Sequence, residues 1–232
     1  MNRADTTGLF HYRSPPRASA AIRDADPIAT EIIRNSLNSV AEQMMRTLVR
    51  TAFSPVVYEM NDFAIAIYDP DIQMMAQANS LPGFIGTMNF SVEEAVRAVG
   101  GPSALEPDDV ILYNVPYGTG SHAQDATLVL PAFHDGKLIG YITNKAHWVD
   151  VGAKDPYCTD STDVFQEGLV LPGVKLYSRG QRSADIHRIL LANSRAPWAL
   201  EGDLDAQVTS ALLGVRLLAQ LVERYGIGRA HV

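Results

Sequence analysis

The sequence predicts an α+β fold, with a mixed or antiparallel sheet built from hairpins and packed by a long N-terminal helix and a long C-terminal helix. Three observations carry this expectation. Apolar residues recur at helical spacing near both ends of the chain, from Ile28 to Leu48 and from Leu200 to Val222. Between them, Asp135-Gly136 separates two apolar segments, Thr127 to Phe133 and Leu138 to Thr143, and Asp-Gly in that setting is a strong hairpin signal. A second strand pair is expected around Asp69-Pro70-Asp71, where Phe63 to Tyr68 alternates large and small apolar residues and Met74 to Ala78 can return alongside it.

Taken in order, residues 1–25 carry Arg3, Arg13, Arg17 and Arg23 among Ser, Pro and Thr without periodicity, and are expected to form a disordered tail. Asp26-Pro27 supplies an N-cap followed by proline at the first helical position, where its missing N–H costs nothing. The helix it opens is expected to run until Ser54-Pro55. After the first strand pair comes a helix from about Thr87 to Val99, with Met88, Val92, Ala95 and Val99 on one face, and then a strand over Val110 to Tyr113. Residues 151–163 have no periodicity of their own, and a loop of that kind in a compact domain is expected to cover a site. Phe165 to Leu171 and Val174 to Tyr177 are short apolar pieces, Ala184 to Ala192 is a short helix, and Pro197 opens the last one. Leu213, Leu217 and Leu221 give that helix a second apolar stripe, which needs cover from something else. Gly226 ends it, and 227–232 is a tail.

Lys plus Arg number 19 against 26 Asp plus Glu, and this acidic balance argues against a nucleic-acid surface. The single cysteine, Cys158, cannot form an internal disulfide and points to a cytoplasmic protein. No apolar run approaches the roughly 18 residues of a membrane helix.

The chemistry concentrates between Asn114 and Asp150. His122, Asp125 and His147 lie in this stretch of a chain with six histidines. Two imidazoles and a carboxylate form a set that binds Mn, Fe, Co or Zn and leaves positions open for water and substrate. The hairpin returns His147 toward the other two. A two-residue loop at Asp135-Gly136 would place Gln124 opposite His147 and Asp125 opposite Ala146, on the wrong face; convergence then requires a longer loop, a bulge, or Asp125 outside the ladder. The plainer alternative has His147 capping a strand end and Asp125 accepting backbone N–H groups. Asn114 and Asp150 are candidates for orienting ligands from behind, and the catalytic group itself is not identified. Gly118 and Gly120 are expected to let the loop swing back to the hairpin; no Lys-Ser/Thr follows them, so a nucleotide site is not expected. Gly-x-Ser-x-Gly is absent, and Cys158 reads as packing rather than as a nucleophile.

Several runs together are familiar: residues 26–37, Arg50 to Pro55, Asp62-Phe63, Asn114 to Tyr117 with His122 to Asp125, Asn144 to His147, Phe165 to Leu169, and Leu191 to Arg195. In that order they resemble the hydantoinase B / 5-oxoprolinase family, which includes alpha subunits of acetone and acetophenone carboxylases, over nearly everything from Asp26 to Tyr225. The resemblance implies a B-like subunit, or its N-terminal part, of an ATP-dependent cyclic amide hydrolase. It implies a hydantoinase A-like partner that binds ATP, and a cyclic amide or ketone substrate. It also implies a divalent metal, manganese first and iron or zinc otherwise, held by His122, Asp125 and His147. The family has Asp where Val115 stands and a second His where Trp148 stands, which opens the alternative of a ketone carboxylase. Its members are usually at least twice as long, so residues 26–226 are expected to be an N-terminal region, and a truncated, non-catalytic assembly subunit is the remaining alternative.

Overall fold

A computed structural model describes residues 26–226, apart from Gly118 and Gly120 and the side chain of Ile85. The expected tails at 1–25 and 227–232 and the role of those two glycines lie outside the described residues. The chain runs α1 (Pro27–Thr51), α2 (Pro55–Tyr58), β1 (Phe63–Tyr68), β2 (Met74–Gln77), α3 (Pro82–Ile85), α4 (Met88–Ala98) and β3 (Val110–Tyr113). It continues through β4 (Asp125–His134), β5 (Lys137–His147), β6 (Pro172–Ser178), β7 (Gln181–Arg182), α5 (Ala184–Ala192) and α6 (Pro197–Tyr225). The strands form one sheet in the order β2-β1-β5-β4-β3-β6-β7, and every neighbouring pair is antiparallel.

Local signals account for much of this. The Asp26 carboxylate accepts the Ile28 N–H at 3.0 Å and starts α1 where the Asp-Pro pair placed it. The strands β1 and β3 and the helix α5 coincide with their expected spans, whereas the central hairpin is longer at both ends. Phe165 to Leu171 is not a strand: a 3-10 turn at Val164–Gln166 leads into irregular chain, and pairing begins only at Pro172.

The centre of the sheet is covered on both faces, so β1, β3 and most of β4 and β5 are buried throughout rather than alternately, while β2, β6 and β7 toward its edges are partly exposed. Phe63, Ile65 and Ile67 meet α1 and α6 on one side, while Ala64 and Ala66 leave room for α3 and α4 on the other. Each large aliphatic side chain so buried contributes roughly 1.5–3 kcal/mol. Of the second apolar stripe of α6, Leu217 and Leu221 pack partly buried against the cluster that α6 shares with α1, and Leu213 is half-buried outside it.

The hairpin register decides the geometry of the candidate site. Asp135 (φ 50°) and Gly136 (φ 71°) are both left-handed, as a two-residue type I′ loop requires, and His134 pairs with Lys137 and Phe133 with Leu138. The ladder then slips by one residue: Ala132 pairs with Gly140, leaving Ile139 as an extra residue on β5. From there on Asp125 stands opposite His147, so that of the three routes to convergence left open by the sequence the hairpin takes the bulge. Gly140 makes the slip possible. Its φ of 151° is open to glycine, and a Cβ there would run into the Tyr68 carbonyl oxygen of β1.

Behind the hairpin end, α6 reaches into the sheet through Gln207. Its Oε1 accepts the Trp148 Nε1–H at 2.7 Å, and its Nε2 donates to the Ala126 carbonyl and to Asn144 Oδ1, both at 3.1 Å. Trp148 is fully buried on this helix face, opposite to the face carrying His147. A histidine at 148 therefore would not point to the candidate site. Trp148→His is expected to cost about 2–3 kcal/mol through lost burial, measured by urea denaturation, and to leave the His147 imidazole resonances in place.

Candidate active site at the end of the sheet

The ends of three adjacent strands supply the site. Asp62 precedes β1 and its carbonyl accepts the His147 N–H at 3.0 Å; His147 ends β5; Asp125 begins β4. Alternation places all three side chains on the α3 face, in a row across the sheet. The Asp125 carboxylate bonds His147 Nδ1 at 2.7 Å through Oδ1 and accepts the His122 backbone N–H at 2.7 Å through Oδ2. A tight turn thus carries His122 to the hairpin end, with its ring centroid 6.1 Å from that of His147. The structure brings together the three residues singled out in the sequence.

They open on a cleft of about 410 Å³ whose wall includes Asp62, His122, Asp125, His147, Tyr157 and Cys158. Tyr157 and Cys158 come from the irregular segment after Asp150, which covers the site as its lack of periodicity suggested. The Tyr157 ring lies edge-on to His147 at 4.9 Å. Two buried atoms have no hydrogen-bond partner: His147 Nε2 and Asp62 Oδ1. Groups of this kind in a cleft wall are where a ligand atom is expected.

Charge is unbalanced here. Burial pushes the Asp62 carboxyl up, and the nearby Asp125 charge adds to the rise while the two histidines oppose it. Burial pulls His122 down, but the Glu167 contact and the charges of Asp125, Glu167 and Asp62 outweigh it and hold the imidazole above its usual value. Both groups therefore favour taking up a proton, the signature of a site short of positive charge. Lys145, two residues before His147 on the same face, is fully buried, and burial pulls it down to about 8 against the field of Asp125. Its Nζ donates to Ser91 Oγ of α4 at 3.1 Å.

As donor types, two imidazoles and a carboxylate fit a divalent metal, and the unpartnered His147 Nε2 and Asp62 Oδ1 fit it as free ligand atoms. Their arrangement is not that of a finished metal centre: both Asp125 oxygens are engaged by protein donors, and among the described residues no three such side chains already converge on one point.

The two residues expected to orient ligands from behind divide. Asn114 is buried and acts on the site through backbone: its Nδ2 donates to the carbonyls of Ala123 and Leu169, and its Oδ1 accepts the Leu171 N–H. It ties the loop of His122 to the segment following Glu167. Asp150 touches no histidine, which corrects that expectation. It takes two bonds from the Arg195 guanidinium, one from the Arg195 N–H and one from the Gly152 N–H, because the chain turns away from the hairpin directly after Val149. Burial pushes the Asp150 carboxyl up, but these bonds outweigh it and hold it below the usual carboxylate range. Its stabilisation is thus complete above an unfolded value of about 4 and is lost as pH falls through the lower folded one. Asp150→Ala is expected to cost about 2–3 kcal/mol at pH 7, with the gap to the parent shrinking in denaturation curves taken toward pH 2.

Asp62 and Glu167 were not singled out, although both lie in runs quoted above. Asp62 becomes visible only once β1 is known to pair with β5. Glu167 reaches His122 across 45 residues of sequence.

A family model described as hydantoinase B/oxoprolinase matches residues 26–231. The caprolactamase subunit beta of Pseudomonas jessenii is 34% identical over 210 residues, covering 89% of this chain and 36% of its own. The crystal structure of the ATP-dependent caprolactamase from that organism superposes with a TM-score of 0.81 at 32% identity, covering 90% of this chain and 36% of the other. A nucleotide-free acetone carboxylase structure has a TM-score of 0.82 at 17% identity, covering 93% and 29%, and shares the fold. The chain spans about a third of the length of the caprolactamase subunit. Among the described residues no helix is long and apolar enough to cross a membrane.

Proposed function

Because the chain belongs to the hydantoinase B/oxoprolinase family, we propose that it forms the metal-bearing region of a B-like subunit in an ATP-dependent cyclic amide hydrolase. The observation that carries this reading is His147: Asp125 fixes its Nδ1 while its buried Nε2 faces the cleft with no partner. The proposed ligands are His122, Asp125 and His147, with the free Asp62 oxygen as a further donor, and the metal is manganese, with iron or zinc as the other candidates. The shortage of positive charge around Asp62 and His122 supports a cation there. ATP binds a hydantoinase A-like partner rather than this chain, and the lone thiol of Cys158 suits a cytoplasmic setting.

When bound, the metal supplies a Lewis acid for the amide carbonyl or for an attacking water. The protein groups do the rest. Tyr157 closes one side of His147 against solvent. Asp62 lines the cleft with an oxygen free of protein donors and, as the further donor, would help hold the metal beside His147. The cyclic amide class is favoured over a ketone by the caprolactamase likeness at 34% identity, and because Trp148, one of the two residues that suggested a carboxylase, faces away from the cleft.

Elemental mass spectrometry of the purified chain, beside His122→Ala/His147→Ala, tests the reading. About one equivalent of metal in the parent and none in the variant is expected. A folded parent that takes up no Mn, Fe or Zn would overturn it and leave the assembly-subunit alternative.

A further inference from the structure

The Asp125–His147 pair has a second, unlooked-for counterpart. The His122 side chain is 56% exposed, so sheet packing does not hold its ring. What holds it is Glu167, whose Oε1 lies 3.1 Å from His122 Nδ1 and accepts the Ser161 hydroxyl at 2.8 Å, while its Oε2 accepts the Ala123 N–H at 3.1 Å. Both Glu167 oxygens thus already accept from protein donors, the role of an ionised carboxylate. An ionised carboxylate only accepts hydrogen bonds, so the proton of the neutral imidazole must sit on Nδ1.

The placement of Glu167 is itself built in. Gly168 follows it at φ 105°, where a Cβ would lie 2.6 Å from the Val151 carbonyl oxygen, and the Leu169 N–H donates to that same oxygen at 2.9 Å. Asn114 then binds the carbonyls of both Leu169 and Ala123, clamping the Glu167 segment to the His122 loop. Fifteen residues lie between Val151 and Glu167, yet this backbone bond and the Asn114 clamp bring the carboxylate to one ring.

We propose that Glu167 is a positioning residue which fixes His122 as the Nδ1–H tautomer and aims its Nε2 into the cleft, matching what Asp125 does for His147. The site then presents two imidazoles of one tautomer, each backed by its own carboxylate. The consequence for metal affinity rests on the metal reading above, whereas the tautomer does not.

Nitrogen-15 imidazole spectra of the full, metal-free chain test it, at a pH where His122 is neutral. In the parent, His122 and His147 are both expected as Nδ1–H. In Glu167→Ala, His122 should become a tautomer mixture while His147 stays unchanged and reports an intact fold. Glu167→Gln, whose carbonyl can still accept from Nδ1, should restore most of the parent pattern, and Ser161→Ala should leave it alone. A parent His122 protonated on Nε2, or a Glu167→Ala spectrum that keeps Nδ1–H, overturns the proposal. Manganese and zinc titrations of the same variants separate the two readings. A 10- to 100-fold weaker site in Glu167→Ala supports both. Equal affinity in parent and Glu167→Ala, with His122 still Nδ1–H in both, overturns the positioning role and leaves the metal reading standing. No metal uptake by any variant, together with the tautomer change, supports the positioning role and removes the metal reading.

Discussion

Gly140→Ala is expected to cost about 3–5 kcal/mol and to dismantle the candidate site without altering any residue in it. Two terms add. The left-handed φ of 151° is closed to alanine at a cost of about 1–3 kcal/mol, and the new methyl group meets the Tyr68 carbonyl oxygen, a backbone atom that β1 cannot withdraw without giving up its own pairing. The cheapest relief is to expel the bulge. The ladder would then keep the register of its two-residue loop from end to end, with Gln124 opposite His147 and Asp125 moved to the other face of the sheet. The denaturation midpoint and the His147 imidazole resonances report the two effects separately. A variant within about 0.5 kcal/mol of the parent, with His147 unmoved, would mean that the bulge does not depend on glycine.

Asp125→Asn is the second large effect. The carboxylate now serves two donors with two acceptors: His147 Nδ1–H on one oxygen and the His122 N–H on the other. An amide of the same shape offers one acceptor and sets its NH₂ against the remaining donor, in a place with almost no solvent. A loss of about 1–3 kcal/mol in stability follows from the mispaired buried group. The effect on the proposed metal is larger in consequence, because the same change releases the His147 ring, frees the turn that carries His122 and removes one negative charge. Uptake at least about 100-fold weaker is expected in equilibrium dialysis against manganese, because the change touches a proposed ligand together with the bonds that orient the other two. Unchanged uptake would show that Asp125 neither binds nor orients, and would move the site toward Asp62.

The two substitutions attack the same pair from different directions, and the contrast shows where the information lies. Asp125 and His147 are readable as residues. Their meeting is not, because it depends on one extra residue in β5, beside a Gly140 that packs against a carbonyl about 70 residues earlier in the chain.

The sequence by itself determined whatever depends on neighbours within a few positions. Asp26-Pro27 sets the start of α1 through one side-chain hydrogen bond, Asp135-Gly136 sets the loop type through two left-handed dihedrals, and the alternation from Phe63 to Tyr68 sets a strand buried on both faces. Spacing alone also singled out His122, Asp125 and His147, since a hairpin must return its ends to each other. Only the tertiary structure decided which atoms of those residues are free and what stands behind them. Asp62 joins through the pairing of β1 with β5, and Glu167 through a loop clamped by Asn114. Asp150 is drawn off by Arg195, and Trp148 is turned to α6 by Gln207. Each of these outcomes is a competition among partners distant in the chain for one buried donor or acceptor. Local propensity contains no term for that competition, and burial makes its result costly to change.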